Sequence, residues 1–96
     1  MSIVVRIRYH SNEVIAVKER YAGQYLQLGL KISYYRKLRG LTQEQLAEKL
    51  GLTAAFIGHV EAPNIKKAIS MDTLFHIAEI LEVPAYKFLL FDPEDL

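Results

Sequence analysis

Few residues in this chain have the types and spacing that chemistry needs. His10, His59 and His76 are scattered, with no spacing that places two of them on one metal ion. The chain has no cysteine, which excludes disulfides, thiol nucleophiles and thiolate-bound zinc. Glu79 and Glu82 are three apart on a helical pattern, a solvated acidic face rather than an acid/base pair. No Gly-rich phosphate loop or serine-nucleophile motif stands out. Neither enzymatic activity nor a metal or other cofactor is expected. The residues offered instead suit anions. Lys66 and Lys67 are adjacent cations, and His59 can donate to the N7 or O6 of a guanine. Tyr34-Tyr35 could stack on bases, but one inward and one outward helical tyrosine is the simpler account.

The charge distribution carries the same message. The 96 residues hold 12 Lys+Arg against 11 Asp+Glu, a formal charge of +1. Divided by position, residues 1–29 carry +2, residues 30–67 carry +4 and residues 68–96 carry −5. A basic middle and an acidic end fit a molecule that approaches a polyanion in one orientation. At 51% hydrophobic and 24% charged, the composition is that of a folded globular chain of one domain. No apolar run reaches the ~20 residues of a membrane span. Met1–Tyr9 is broken by Arg6 and Arg8 and lacks a signal-peptide core. A cytoplasmic protein with no membrane association is expected.

The elements that must position these residues are mostly helical. Ile3, Val5, Ile7 and Tyr9 alternate with Arg6, Arg8 and His10, and Val14–Val17 follows a turn-like His10–Glu13. That reads as a β-hairpin, with a mobile arm as the competing reading. From Tyr25 the pattern is helical, with Leu28, Ile32, Tyr35 and Leu38 as inward positions and Gly40 as the stop. Thr42 and Gln45 fit a capping box that opens a second helix ending at Gly51. Thr53 caps a third, Ala54–Glu61, with Phe56, Ile57 and Val60 apolar. A loop spans Ala62–Ile69. Ser70 caps a fourth helix whose Leu74, Ile77, Ala78 and Leu81 share one face. Pro84 precedes a fifth, Ala85–Leu90. Domain limits follow as an arm over 1–24, a helical domain over 25–91 and an acidic tail over 92–96.

The stretch Thr42–Glu61 has helix-turn-helix geometry: Ala47 is small at a close crossing, and Gly51 tolerates a tight turn. Together, LGLKISYYRKLRGLTQEQLAEKLGLTAAFIGHVE and DTLFHIAEILEV resemble the phage-repressor/Cro-like, or XRE-type, helix-turn-helix family. The resemblance runs over about Leu28–Leu90. It implies an all-α, five-helix lambda-repressor-like DNA-binding domain, carrying here a short N-terminal arm. It also implies operator binding on double-stranded DNA, as a homodimer, and transcriptional regulation, with repression the expected sense.

Roles carry over by position. Gln43 matches the glutamine that starts the second helix and contacts phosphate. Thr53 matches the hydroxyl residue that caps the recognition helix and faces phosphate. Ala54, Ala55, Gly58 and His59 match positions facing the major groove. Lys66 and Lys67 follow that helix, where the family places cations for phosphate. Arg36 and Glu61 match a structural salt bridge between the first and third helices. The chain departs from the family in its plain reading face, since alanine offers a thymine methyl contact but no bidentate hydrogen bonds. The loop after Glu61 is also longer, and Ala62-Pro63 replaces a basic-Gly pair. The alternative reading is therefore a protein-interaction module, such as an antitoxin-like or accessory regulator that retains the fold. Tyr86, Phe88, Leu89, Leu90 and Phe91 exceed what one short helix can bury, so the C-terminal region is expected to supply the dimer contact.

Overall fold

A computed structural model describes residues 20–65 and 67–92. The hairpin reading of Ile3–Val17 lies outside the described residues, as do Lys66 and residues 93–96. Among the described residues there are four α-helices and one 3-10 helix, with no strand. They are α1 (Ala22–Leu38), α2 (Gln43–Leu50), α3 (Ala54–Glu61), α4 (Met71–Leu81) and the 3-10 helix Ala85–Leu89. No helix among them is long and apolar enough to cross a membrane.

Three helix starts are set by side-chain hydroxyls. Thr42 Oγ1 accepts from the Gln45 N–H at 3.0 Å, and the Thr42 N–H donates to Gln45 Oε1 at 2.8 Å, which completes the expected capping box. Thr53 Oγ1 accepts from the Phe56 N–H and Ser70 Oγ from the Thr73 N–H, each at 3.1 Å. By contrast, α1 begins at Ala22 rather than Tyr25, after Tyr21, with no side-chain cap. Its start therefore carries no local sequence signal.

A left-handed residue turns the chain back after α1, α2 and α4, whereas α3 runs into extended Ala62. Gly51 has φ 73°, and the next N–H, of Leu52, donates to the Ala47 carbonyl at 2.9 Å. At the end of α4 the left-handed position is taken by Glu82, φ 57°, not by glycine. Arg39, from the end of α1, covers this turn. Its Nε donates to the Leu81 carbonyl at 2.6 Å and its Nη2 to that of Glu82 at 3.1 Å. One arginine thus satisfies carbonyls that α4 leaves unpaired and ties α1 to α4.

The core draws one large residue or more from every element: Ile32, Leu46, Ile57, Leu74, Ile77, Leu81 and Phe88 are almost fully buried. Tyr35 is half-buried, its ring edge-on to Phe88 at 5.2 Å, with the exposed Tyr34 edge-on behind it at 5.0 Å. Leu38, expected inward, is 60% exposed. It lies six residues past Ile32, a rotation that leaves it roughly 120° round the helix from the core face. The expected fifth helix is present as a 3-10 helix of five residues, ending at Leu89 rather than Leu90. Pro84 fixes its start, and a segment this short closes i→i+3 turns more readily than an α-helical ladder.

Gly29 has no counterpart in the sequence reading. It is buried in the middle of α1, where a Cβ would overlap the backbone carbonyl oxygen of Val60. The first helix and the end of α3 therefore meet backbone to backbone. Gly29→Ala should destabilise the domain by about 1–3 kcal/mol, through overpacking that outweighs the gain in helix propensity. A urea midpoint at or above that of the parent chain would disprove this close crossing.

Candidate nucleic-acid interface

The position of α3 is set at its last residue. Glu61 is 8% exposed and Arg36, on α1, is 6% exposed. Arg36 Nε donates to Glu61 Oε2 at 2.7 Å and Nη2 to Oε1 at 2.8 Å, a two-pronged pair that matches the fork of the guanidinium. Arg36 Nη1 donates to the Leu41 carbonyl at 2.7 Å, in the turn between α1 and α2. The Glu61 hydrogen bond holds the Arg36 pKa above its already high value; burial opposes this, and the charges of Glu61 and Glu44 add to it. The guanidinium is charged at every pH the fold survives.

Glu61 accepts a third bond, from Gln43 Nε2 at 3.1 Å. Gln43 is the first residue of α2, so the expected phosphate-binding amide is held by the expected structural carboxylate. One of its N–H groups is engaged, and its Oε1 lies beside Gly58, 3.5 Å from where a Cβ there would stand.

Of the residues assigned to the groove, Ala54 packs partly against the core and the others lie toward the outer side of α3. Thr53, Ala55 and His59 are exposed; Ala54 and Gly58 are half-buried. The first turn of α3 carries no acidic residue, whereas that of α2 carries Glu44. The positive end of the α3 dipole is therefore left unneutralised and open to solvent, which favours an approaching anion. Lys67 is exposed, with its Nζ 5.4 Å from the centre of the half-buried Phe56 ring, a cation–π distance that draws the loop back toward α3. The sequence reading missed two further polar residues, Ser33 and Lys37 on α1. They line a notch together with Arg36, Gln43, Gly58 and Glu61. Surface polar residues on a helix give no periodic signal, so nothing in the sequence singled them out.

A family model described as Helix-turn-helix matches residues 32–88, a span from α1 to the 3-10 helix. The chain belongs to the XRE-type helix-turn-helix family. Two solved structures share the arrangement. One is the restriction-modification controller protein C.AhdI from Aeromonas hydrophila, at TM-score 0.65 and 24% identity, over 71% of this chain and 96% of that one. The other is a complex of SinR protein and SinI protein, at TM-score 0.62 and 29% identity, over 72% of this chain and 66% of that one. No curated protein matches the chain. In this helix-turn-helix protein α2 and α3 form the motif.

Two substitutions test the local geometry. Glu61→Ala strands a buried guanidinium and should cost about 3–5 kcal/mol, while replacing both partners by apolar residues of similar size should recover most of that loss. Equal losses in the single and double variants, read from urea unfolding, would contradict a mutually satisfied pair. At Gly58 an added Cβ makes only an ordinary contact with Gln43. Gly58→Ala should therefore stabilise α3 by about 1 kcal/mol, raising Tm by about 4–8 °C. An unchanged or lower Tm would show that the backbone at Gly58 is constrained in another way.

Proposed function

We propose that this helix-turn-helix protein is a sequence-specific double-stranded DNA-binding regulator of transcription, acting in the cytoplasm as a homodimeric repressor. The observation that carries the reading is the outer face of α3. Its acid-free first turn has Thr53 and Ala55 open to solvent, with Lys67 over the Phe56 ring and Gln43 beside Gly58 further along the helix. In this reading α3 enters the major groove. The second N–H of Gln43, the Thr53 hydroxyl, Lys66 and Lys67 hold phosphates and set the register. His59 reads a base edge, Ala54 and Ala55 meet thymine methyls, and Gly58 permits close approach. With so few base-reading groups, affinity rests mainly on phosphates and DNA shape. Repression is the simplest output, because occupancy alone excludes another protein from the same duplex.

The exposed apolar strip of Tyr86, Leu89 and Leu90 supports the homodimer, which would place two recognition helices on half-sites roughly 34 Å apart. A specific observation favours a second reading, that of a protein-interaction module. An apolar groove of ≈ 300 Å³ lies between the start of α1 and the start of α4, lined by Tyr21, Tyr25, Leu28, Met71, Leu74 and Leu89. SinR, one of the similar structures, is seen in complex with SinI.

Selection from random duplex DNA at two salt concentrations separates the readings. A dimer contacting about 8 phosphates should show a log K against log salt slope near −7 and should enrich a palindrome. Lys67→Ala should lower affinity for all duplexes, and His59→Ala should relax preference at one base position. DNA affinity indifferent to both substitutions would end the groove model in favour of protein binding.

A further inference from the structure

We infer that the notch between α1 and the α2–α3 pair seats a DNA backbone phosphate, with Lys37 as its cation and Ser33 as a hydroxyl donor. This rests on the DNA-binding reading above and adds a contact from the first helix to it. Ser33 and Lys37 are four residues apart, so they stand one above the other on one face of α1. Both line the same recess as Gln43 and Gly58, at the side of the recognition helix.

The electrostatics of the recess single out Lys37. Arg36 is the other cation there, but all three of its guanidinium nitrogens are engaged, two on Glu61 and one on the Leu41 carbonyl. Its charge is cancelled by the carboxylate it grips. Glu61 in turn is covered by Arg36 and Gln43, so its charge is offset at the point where an anion would enter. Glu44, on the first turn of α2, is the remaining carboxylate that acts on Arg36. Among the described residues Lys37 is exposed and has no carboxylate within ion-pairing distance, so its charge is available. Gln43 is held from behind by Glu61 and keeps a second N–H for an acceptor. The missing side chain at Gly58 leaves the recess open on the α3 side. A tetrahedral anion there meets an ammonium, a hydroxyl and a fixed amide, which is the donor set of a phosphate contact.

A bland role competes with this one. Lys37 is in the last turn of α1, where a cation complements the helix dipole. The full chain separates the two in a salt titration against a selected duplex and a scrambled one, with Lys87→Ala on the 3-10 helix as a control of equal charge change. Lys37→Ala should make the slope shallower by about 0.9 for each phosphate left unneutralised, roughly eight-fold weaker binding per phosphate at 0.1 M salt, equally on both duplexes. Lys87→Ala should leave the slope alone. Ser33→Ala should weaken binding without changing the slope, since it removes no charge; unchanged affinity would remove the hydroxyl from the site. If Lys37→Ala lowers Tm but behaves like Lys87→Ala on DNA, while Lys67→Ala still makes the slope shallower, the notch is not a phosphate seat and the DNA reading stands. If the parent chain shows no salt-dependent binding to either duplex, the DNA reading itself falls.

Discussion

The buried pair of Arg36 and Glu61 is the constraint on which the motif depends. A helix of eight residues such as α3 is too short to be stable alone, so its placement must come from tertiary contacts. Ile57 and Val60 supply apolar anchoring, but apolar packing is non-directional and leaves rotation about the helix axis loosely set. The two-pronged bond to Arg36 removes that freedom. Desolvating two charges is costly, and an apolar pair of the same volume could be as stable or more so. What the ion pair adds is orientation. The same carboxylate takes Gln43, and the same guanidinium takes the Leu41 carbonyl, so one contact aligns α1, the following turn, α2 and α3.

Around that fixed point the first helix acts as a brace. Gly29 lies two turns before Arg36 on the same face of α1 and lets the backbone of α3 close onto it. Arg39, just past the end of α1, binds the final carbonyls of α4. A single seventeen-residue helix and the residue after it therefore touch both α3 and α4. Between them lies Lys67, which Phe56 draws back toward α3. Most of the side chains proposed to meet DNA come from the motif and the loop after it, while their positions are set by the longer helix that precedes them.

Much of this was legible in the sequence where local rules govern. The hydroxyl caps at Thr42, Thr53 and Ser70 and the left-handed stop at Gly51 depend on neighbours within a few residues, and all occur as read. The pairing of Arg36 with Glu61, 25 residues apart, came only through the family resemblance, because no local pattern encodes it. Leu38 was misplaced because a one-dimensional spacing rule drifts round the helix over several turns. The roles of Gly29 and Arg39 were not legible, since each is defined by a partner on another element. The same holds for the bond between Gln43 and Glu61, which joins two residues read separately as functional and structural.

The three hydroxyl caps have one more consequence. A threonine or serine at a helix start has no charge to screen and does not ionise over the range in which proteins are handled. An aspartate in the same position would weaken as acid or salt was added. The desolvated pair beneath them is likewise poorly reached by counterions. The hydroxyl caps of α2, α3 and α4 are therefore little affected by ionic strength, and the scaffold and its charged outer face respond to the medium on separate scales. A salt concentration that strips bound polyanion from this domain leaves the shape that held it intact.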